Sequence, residues 1–211
     1  MNLREVASII ESISASSSLG PAPKFDVYHV IKSLILLLRE GSIGRVKLSR
    51  LLSIGEGTTR TMLSRMKDNG LIEESRRGCS LTDLGCRVAE AIVSRIPHVA
   101  EVSVEEFGVD GKGVAVLVRG FKGDVNVVRL RDEAIRVGAK ALITLMLIDE
   151  RLSMPTVEDD VKSRWPHTAE AIMSTFKPLS GDVILISIAD DVKKAERGAL
   201  IAAWSLAFKW N

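Results

Sequence analysis

Glutamine is absent from the 211 residues, and asparagine occurs only at Asn2, Asn69, Asn126 and Asn211. Depletion of thermolabile amides is a mark of heat-adapted proteins. Cysteine is limited to Cys79 and Cys86, and histidine to His29, His98 and His167. So few cysteines exclude a disulfide scaffold, and the scattered histidines argue against a zinc site, so no metal is expected. A reducing cytosol is the expected compartment. Long hydrophobic runs are missing too. The longest, Leu34–Leu38 and Ala141–Ile148, fall far short of the ~20 residues that a membrane span requires. At the N-terminus, Glu5 and Glu11 break up spaced apolar residues, which is not the pattern of a signal peptide. Neither sign of charge dominates: 29 basic against 27 acidic residues leave +2, which names no partner. The chain has no GxxxxGK[ST], no GxGxxG after a strand, no HExxH and no GxSxG. Its glycine-rich stretch, Gly108–Gly113, runs into a strand and cannot seat a phosphate on a helix N-terminus. No catalytic residue, no cofactor and no enzymatic activity are expected.

What is present is ordinary globular material, 46% hydrophobic and 27% charged, enough for one domain or two small ones. Leu3, Val6, Ile10 and Ile13 form one apolar stripe on a helix over residues 2–13. It packs either on the next domain or on a second chain. Ser14–Pro23, rich in small residues and closed by Gly20 and two prolines, reads as a linker. Val27, Val30, Ile31, Leu34, Ile35 and Leu38 recur at helical spacing up to a stop at Gly41. A short helix follows near Gly44–Leu52, with Val46, Leu48, Leu51 and Leu52 as its apolar set. A third helix runs from about Gly57 to Asn69, with Thr59, Leu63 and Met66 on its inner side. Residues 71–74 and 79–81 suit the strands of a hairpin with Arg76-Arg77-Gly78 at its tip. Thr82 is placed to cap a fourth helix through Ile96.

Helix, helix, helix, hairpin, helix over 27–96 is the order of a winged helix-turn-helix. Gly57-Thr-Thr-Arg-Thr-Met-Leu-Ser-Arg-Met-Lys-Asp-Asn-Gly-Leu-Ile-Glu73 resembles the recognition helix of GntR- and MarR-type regulators. Leu81-Thr-Asp-Leu-Gly85 resembles the LT-x-x-G that follows the wing in such proteins. The resemblance implies double-stranded DNA as the partner. With Thr59, Leu63 and Met66 inward, Thr58, Arg60, Thr61 and Ser64 point outward. Arg60 suits guanine O6/N7, and the hydroxyls suit bases or phosphates. Arg65 and Lys67 are expected at the DNA backbone, as are Arg76 and Arg77 at the wing tip and Arg45 and Lys47 on the preceding helix. Over Arg45–Arg77 eight basic residues face four acids, a net +4, the electrostatic footprint that phosphate binding uses. Winged helices also serve as protein-interaction modules, and Glu56 near the helix start would repel phosphate.

From residue 99 the pattern changes. Strands are expected near 102–105, 114–118, 141–148, 152–154 and 183–188, with helices at 130–137, 167–176 and from Asp190 to about Phe208. Such mixing favours α+β over a doubly wound sheet. Acids outnumber bases in 98–211, so this part adds nothing to phosphate binding. Ala195, Gly198, Ala199, Ala202 and Ala203 give the last helix a face of small residues, for close packing on the sheet or a subunit interface. Trp165, Trp204 and Trp210 are placed to line a ligand pocket or anchor a dimer. Arg131–Ala141 and Asp182–Asp191 resemble the GAD insert domain of some aminoacyl-tRNA and amidotransferase proteins. The whole chain resembles an uncharacterised archaeal family with a winged-helix N-terminus.

The expected organisation is a helix and linker (1–23), a winged helix-turn-helix (24–97) and a C-terminal two-layer α/β domain with mostly antiparallel sheet (98–211), α+β overall. The expected function is that of a DNA-binding transcriptional regulator, a homodimer whose second domain dimerises or senses a small-molecule effector. The alternative is a translation- or RNA-associated adaptor.

Overall fold

A computed structural model describes residues 1–15, 23–121 and 123–209. Most of the linker expected at 14–23 lies outside the described residues. The chain divides into two compact units, Met1–Val93 and Ser94–Asn211.

The first unit opens with α1 (Leu3–Ser14), started by a capping box in which Asn2 receives the Arg4 N–H and Glu5 returns to the Asn2 N–H. Its stripe is buried at Val6, Ile10 and Ile13. Asp26 caps α2 (Val27–Glu40), and Gly41 ends it at φ +77°. Then come β1 (Ser42–Ile43), α3 (Arg45–Leu52), α4 (Glu56–Asp68), β2 (Ile72–Ser75), β3 (Gly78–Leu81) and α5 (Asp83–Arg95). The three strands form an antiparallel sheet in the order β1-β3-β2. This is the winged-helix arrangement, with α1 added in front. In α3 only half of the expected apolar set turns inward: Leu48 and Leu52 are buried, while Val46 and Leu51 are exposed.

Thr82 joins the hairpin to α5. Its hydroxyl donates to Gly70 O (2.5 Å) and accepts the Gly85 N–H (3.0 Å). A Cβ at Gly85 would lie 1.9 Å from Leu71 O. The glycine of LT-x-x-G is therefore what allows α5 to lie against the chain as it leaves α4.

The second unit is built on five antiparallel strands in the order β4-β5-β8-β6-β7. They are β4 (His98–Val102), β5 (Lys112–Val118), β6 (Ala141–Ile148), β7 (Arg151–Ser153) and β8 (Val183–Ala189). Central β8 is buried along its whole length. Helices α6 (Val127–Arg136) and α9 (Val192–Trp204) pack on one face. A Cβ at Gly198 would lie 2.5 Å from Ser187 Oγ on β8, so the small residues of α9 serve close helix-on-sheet packing. These are the two layers the sequence suggests. Short α7 (Val161–Arg164) and α8 (Pro166–Phe176) add a partial cover to the other face, over Leu145, Leu147, Ile184 and Ile186.

Trp204 is buried and stacks on Phe208 at 4.3 Å, so it belongs to the core rather than to a pocket or an interface. Trp165 packs against Phe107, and Trp210 lies outside the described residues. Asp191 caps α9 through the Lys194 N–H (2.9 Å). His29 sits in the cap of α2, His98 packs on Phe176, and His167 is exposed on α8.

The turn before β5 is tied to α8 by Glu106. Its carboxylate accepts the Thr168 N–H and hydroxyl, each at 2.7 Å, and the His167 N–H at 3.4 Å. Although burial opposes ionisation, these bonds hold its carboxyl below the usual range. A depressed carboxylate stabilises the fold above its unfolded pKa and loses that stabilisation as pH falls through the folded value. Glu106→Gln is therefore expected to be less stable than wild type at neutral pH and to approach it as pH falls below the ordinary glutamate range. Urea midpoints measured from pH 7 to pH 3 check this; a gap that stays constant with pH contradicts it.

Candidate nucleic-acid interface

Four side chains fix the roll of α4. Thr59, Met62, Leu63 and Met66 are buried, and at 100° per residue this leaves the opposite side open. Arg60, Thr61 and Ser64 are exposed, and Thr58 is half-buried. The backbone O of Gly57 accepts from the Thr61 hydroxyl (3.2 Å), so one donor of that surface is partly engaged within the helix.

The wing ends in Arg76 and Arg77, both exposed. The backbone of this turn is held at three points. Ser75 Oγ donates to Gly78 O (3.2 Å) and accepts the Arg77 N–H (3.1 Å), while Ser42 Oγ donates to Arg77 O (3.3 Å). The turn is braced, yet among the described residues neither arginine side chain has a hydrogen-bond or ion-pair partner. The same is true of Arg60 and Arg45.

Lys67, in the last turn of α4, reaches Glu74 on β2 at 3.3 Å, which puts the end of α4 beside the root of the wing. Both groups are half-exposed, so the pair adds little stability. Burial raises the Cys79 thiol first and Glu74 raises it further, while Arg45 and Lys67 pull it down. Those three charges therefore gather around β3. Lys47 pairs with Glu40. Cys79 and Cys86 are free thiols, buried and half-buried respectively.

Arg65 is placed differently from the expectation. Its Nη1 donates to Ile13 O (3.0 Å) and Ala15 O (2.6 Å), and its guanidinium lies over the Phe25 ring at 5.5 Å. The side chain is spent on α1, not on the outer face. The sequence holds a trace of this: Arg65 lies between buried Met62 and Met66, on the flank of the helix rather than on its exposed ridge.

The second unit carries a cavity of about 510 Å³ lined by Arg151, Leu152, Lys162, Ala169, Glu170 and Met173, among others. Among the described residues no three His, Cys, Asp or Glu side chains gather as a metal site, and no helix is long and apolar enough to cross a membrane.

Residues 28–87 match a family described as "PH0730-like, N-terminal domain", and residues 109–206 match a domain of unknown function, DUF4443. Among solved structures the chain is similar to the hypothetical protein PH0730 from Pyrococcus horikoshii OT3. The identity is 27% and the TM-score 0.71, over 89% of this chain and 95% of that one. A MarR family protein, RV2887, from Mycobacterium tuberculosis matches at 21% identity and a TM-score of 0.31, over 44% of this chain and 63% of that one. At that score the likeness carries no weight. No curated protein matches the chain. The GAD-like resemblance of 131–191 has no counterpart among these matches.

Proposed function

We propose that the protein is a DNA-binding transcriptional regulator without enzymatic activity. Its α4 enters the major groove, and its wing grips the phosphate backbone or minor groove. One observation carries this reading. The exposed ridge of α4, with Arg60, Thr61 and Ser64, is followed along the chain by a wing tip whose two arginines have no partner among the described residues. A helix that reads base edges needs short polar and basic groups outside and apolar packing inside, and α4 is divided in that way. The balance of eight bases to four acids over Arg45–Arg77 supplies the attraction for phosphate.

In this reading the protein acts as a homodimer, because two recognition helices about one turn apart (~34 Å) read palindromic half-sites. The cavity of the second unit is the place for a small effector, whose binding would act by favouring one spacing of the two recognition helices.

In vitro selection from a random duplex pool tests the function and its symmetry together. A recovered motif of two inverted half-sites is the expected result. Enrichment of no duplex, together with co-purification of tRNA, would favour the adaptor reading. Within the selected motif, Arg60→Ala is expected to lose about 1–3 kcal/mol of discrimination at one base pair per half-site while random DNA binds as before. Competition titrations with single-base variants of the motif measure it.

A further inference from the structure

We infer that Arg65 is a positioning residue: it bolts the end of α1 to the back of α4 and thereby sets where the recognition helix lies. The inference rests on the DNA-binding reading above and assigns α1 a part in it.

The geometry is specific. A helix leaves its last carbonyls without intrahelical partners and carries partial negative charge at that end. The last turn of α1 contains no basic residue of its own. Arg65 supplies the missing cation from fifty residues away, donating from one nitrogen to Ile13 O and Ala15 O. The same guanidinium lies over Phe25, just ahead of α2, and Phe25 is buried. One side chain thus ties α4 to the end of α1 and to the approach to α2. A weaker second link stands one turn further on: the single Ser12 hydroxyl hydrogen is shared between Ile9 O at 2.8 Å and Asn69 Oδ1 at 3.2 Å, while Asn69 Nδ2 donates to Arg65 O at 2.9 Å.

The buried set Thr59, Met62, Leu63 and Met66 fixes the roll of α4, but apolar packing is tolerant of small shifts along the axis. Directed charge-assisted bonds are not. Base readout needs donor–acceptor distances held within a few tenths of an ångström. A helix released at its C-terminal end keeps the charges of its outer face and loses its aim.

Salt dependence separates this role from the phosphate contact that the sequence suggests. A residue that neutralises a phosphate contributes about 0.9 to the slope of log K against log salt. A positioning residue contributes nothing to that slope. The experiment is a fluorescence titration of the full chain with its selected duplex from 50 to 300 mM salt, well below the melting temperature of every variant. Arg65→Met keeps the stem and removes the donors. It is expected to weaken binding about tenfold, in the range of a lost base contact, with the slope unchanged. Arg65→Lys, which restores a charged donor on a long stem, recovers most of the loss. Asn69→Ala touches only the outer link and is expected to move affinity the same way by less, again at constant slope; it carries the test if Arg65→Met does not fold. A slope reduced by about 0.9 per bound protomer in Arg65→Met overturns the inference in favour of a phosphate contact. Lower thermal stability with unchanged affinity overturns it in favour of a purely structural role. If wild type binds no duplex, the DNA-binding reading fails, and the inference with it; that outcome is visible in the wild-type curve alone.

Discussion

Gly85→Ala is expected to lower the melting temperature of the first unit by roughly 10–20 °C. The new Cβ would sit 1.9 Å from Leu71 O and 3.0 Å from Leu71 C. Both are backbone atoms, held in place because Leu71 O accepts the Thr82 N–H (3.1 Å) and Leu71 N donates to Met66 O (2.9 Å). No rotamer change relieves such a contact. Either α5 moves away from the exit of α4, or the Thr82 cap opens; overpacking costs about 1–3 kcal/mol and occasionally more, and a contact with fixed backbone belongs at the upper end. Gly57→Ala is the matched control. It lies in α4, nothing stands within 4 Å of its added Cβ, and alanine there is expected to stabilise by roughly 0.4–1 kcal/mol. Thermal melts followed by far-UV circular dichroism measure both. A Gly85→Ala protein as stable as wild type would show that α5 does not need this approach.

The paired substitution Arg76→Ala/Arg77→Ala is expected to weaken binding to every duplex, selected or random, by roughly 10- to 100-fold for each protomer engaged at 0.1 M salt. It is also expected to reduce the salt slope by about 1.8 per protomer, two contacts at about 0.9 each, and so by about 3.6 for a dimer on two half-sites. The fold should not change, because the turn is held through Ser75 and Ser42, not through the arginine side chains. Affinity and slope measured on one selected and one random duplex give the result. Loss confined to the selected duplex would place the wing on base edges instead of the backbone.

Regular periodicity made much of the fold legible in advance. The apolar repeats of α1, α2 and α4 mark helices because each has two or more turns of pattern. The α4 face read from Thr59, Leu63 and Met66 is the face the structure buries, with Met62 added. Continuous Val183–Ile188 reads as a buried strand, and Asp149-Glu150 as the turn between β6 and β7; both lie there. Elements too short to show a period escaped: β1 has two residues and α7 four. Helix α6 begins at Val127, earlier than its pattern suggests, because two β-branched valines follow the Asn126 cap. Strand β4 starts at His98 and ends at Val102, earlier than the alternating Val102-Ser-Val-Glu indicates.

The candidate interface divides in the same way. Arg60, Thr61 and Ser64 follow from helical geometry, which is local. The engagement of Arg65 does not, because its acceptors are backbone carbonyls of α1 and the choice between phosphate and α1 is made by tertiary packing. The exposure of Val46 and Leu51 is similarly invisible, since α3 is only eight residues long and its apolar residues lie on more than one face.

If the surface formed by α4 and the wing binds duplex DNA through phosphate neutralisation, affinity must fall steeply as salt rises. A fluorescence-anisotropy titration of the full chain with a labelled duplex, repeated across salt concentrations, measures that dependence. The expected log–log slope is near −4 to −5 for each protomer bound, as about 4–6 phosphate contacts require. Binding no tighter than about 10⁻⁴ M at low salt, or an affinity indifferent to salt, would contradict it.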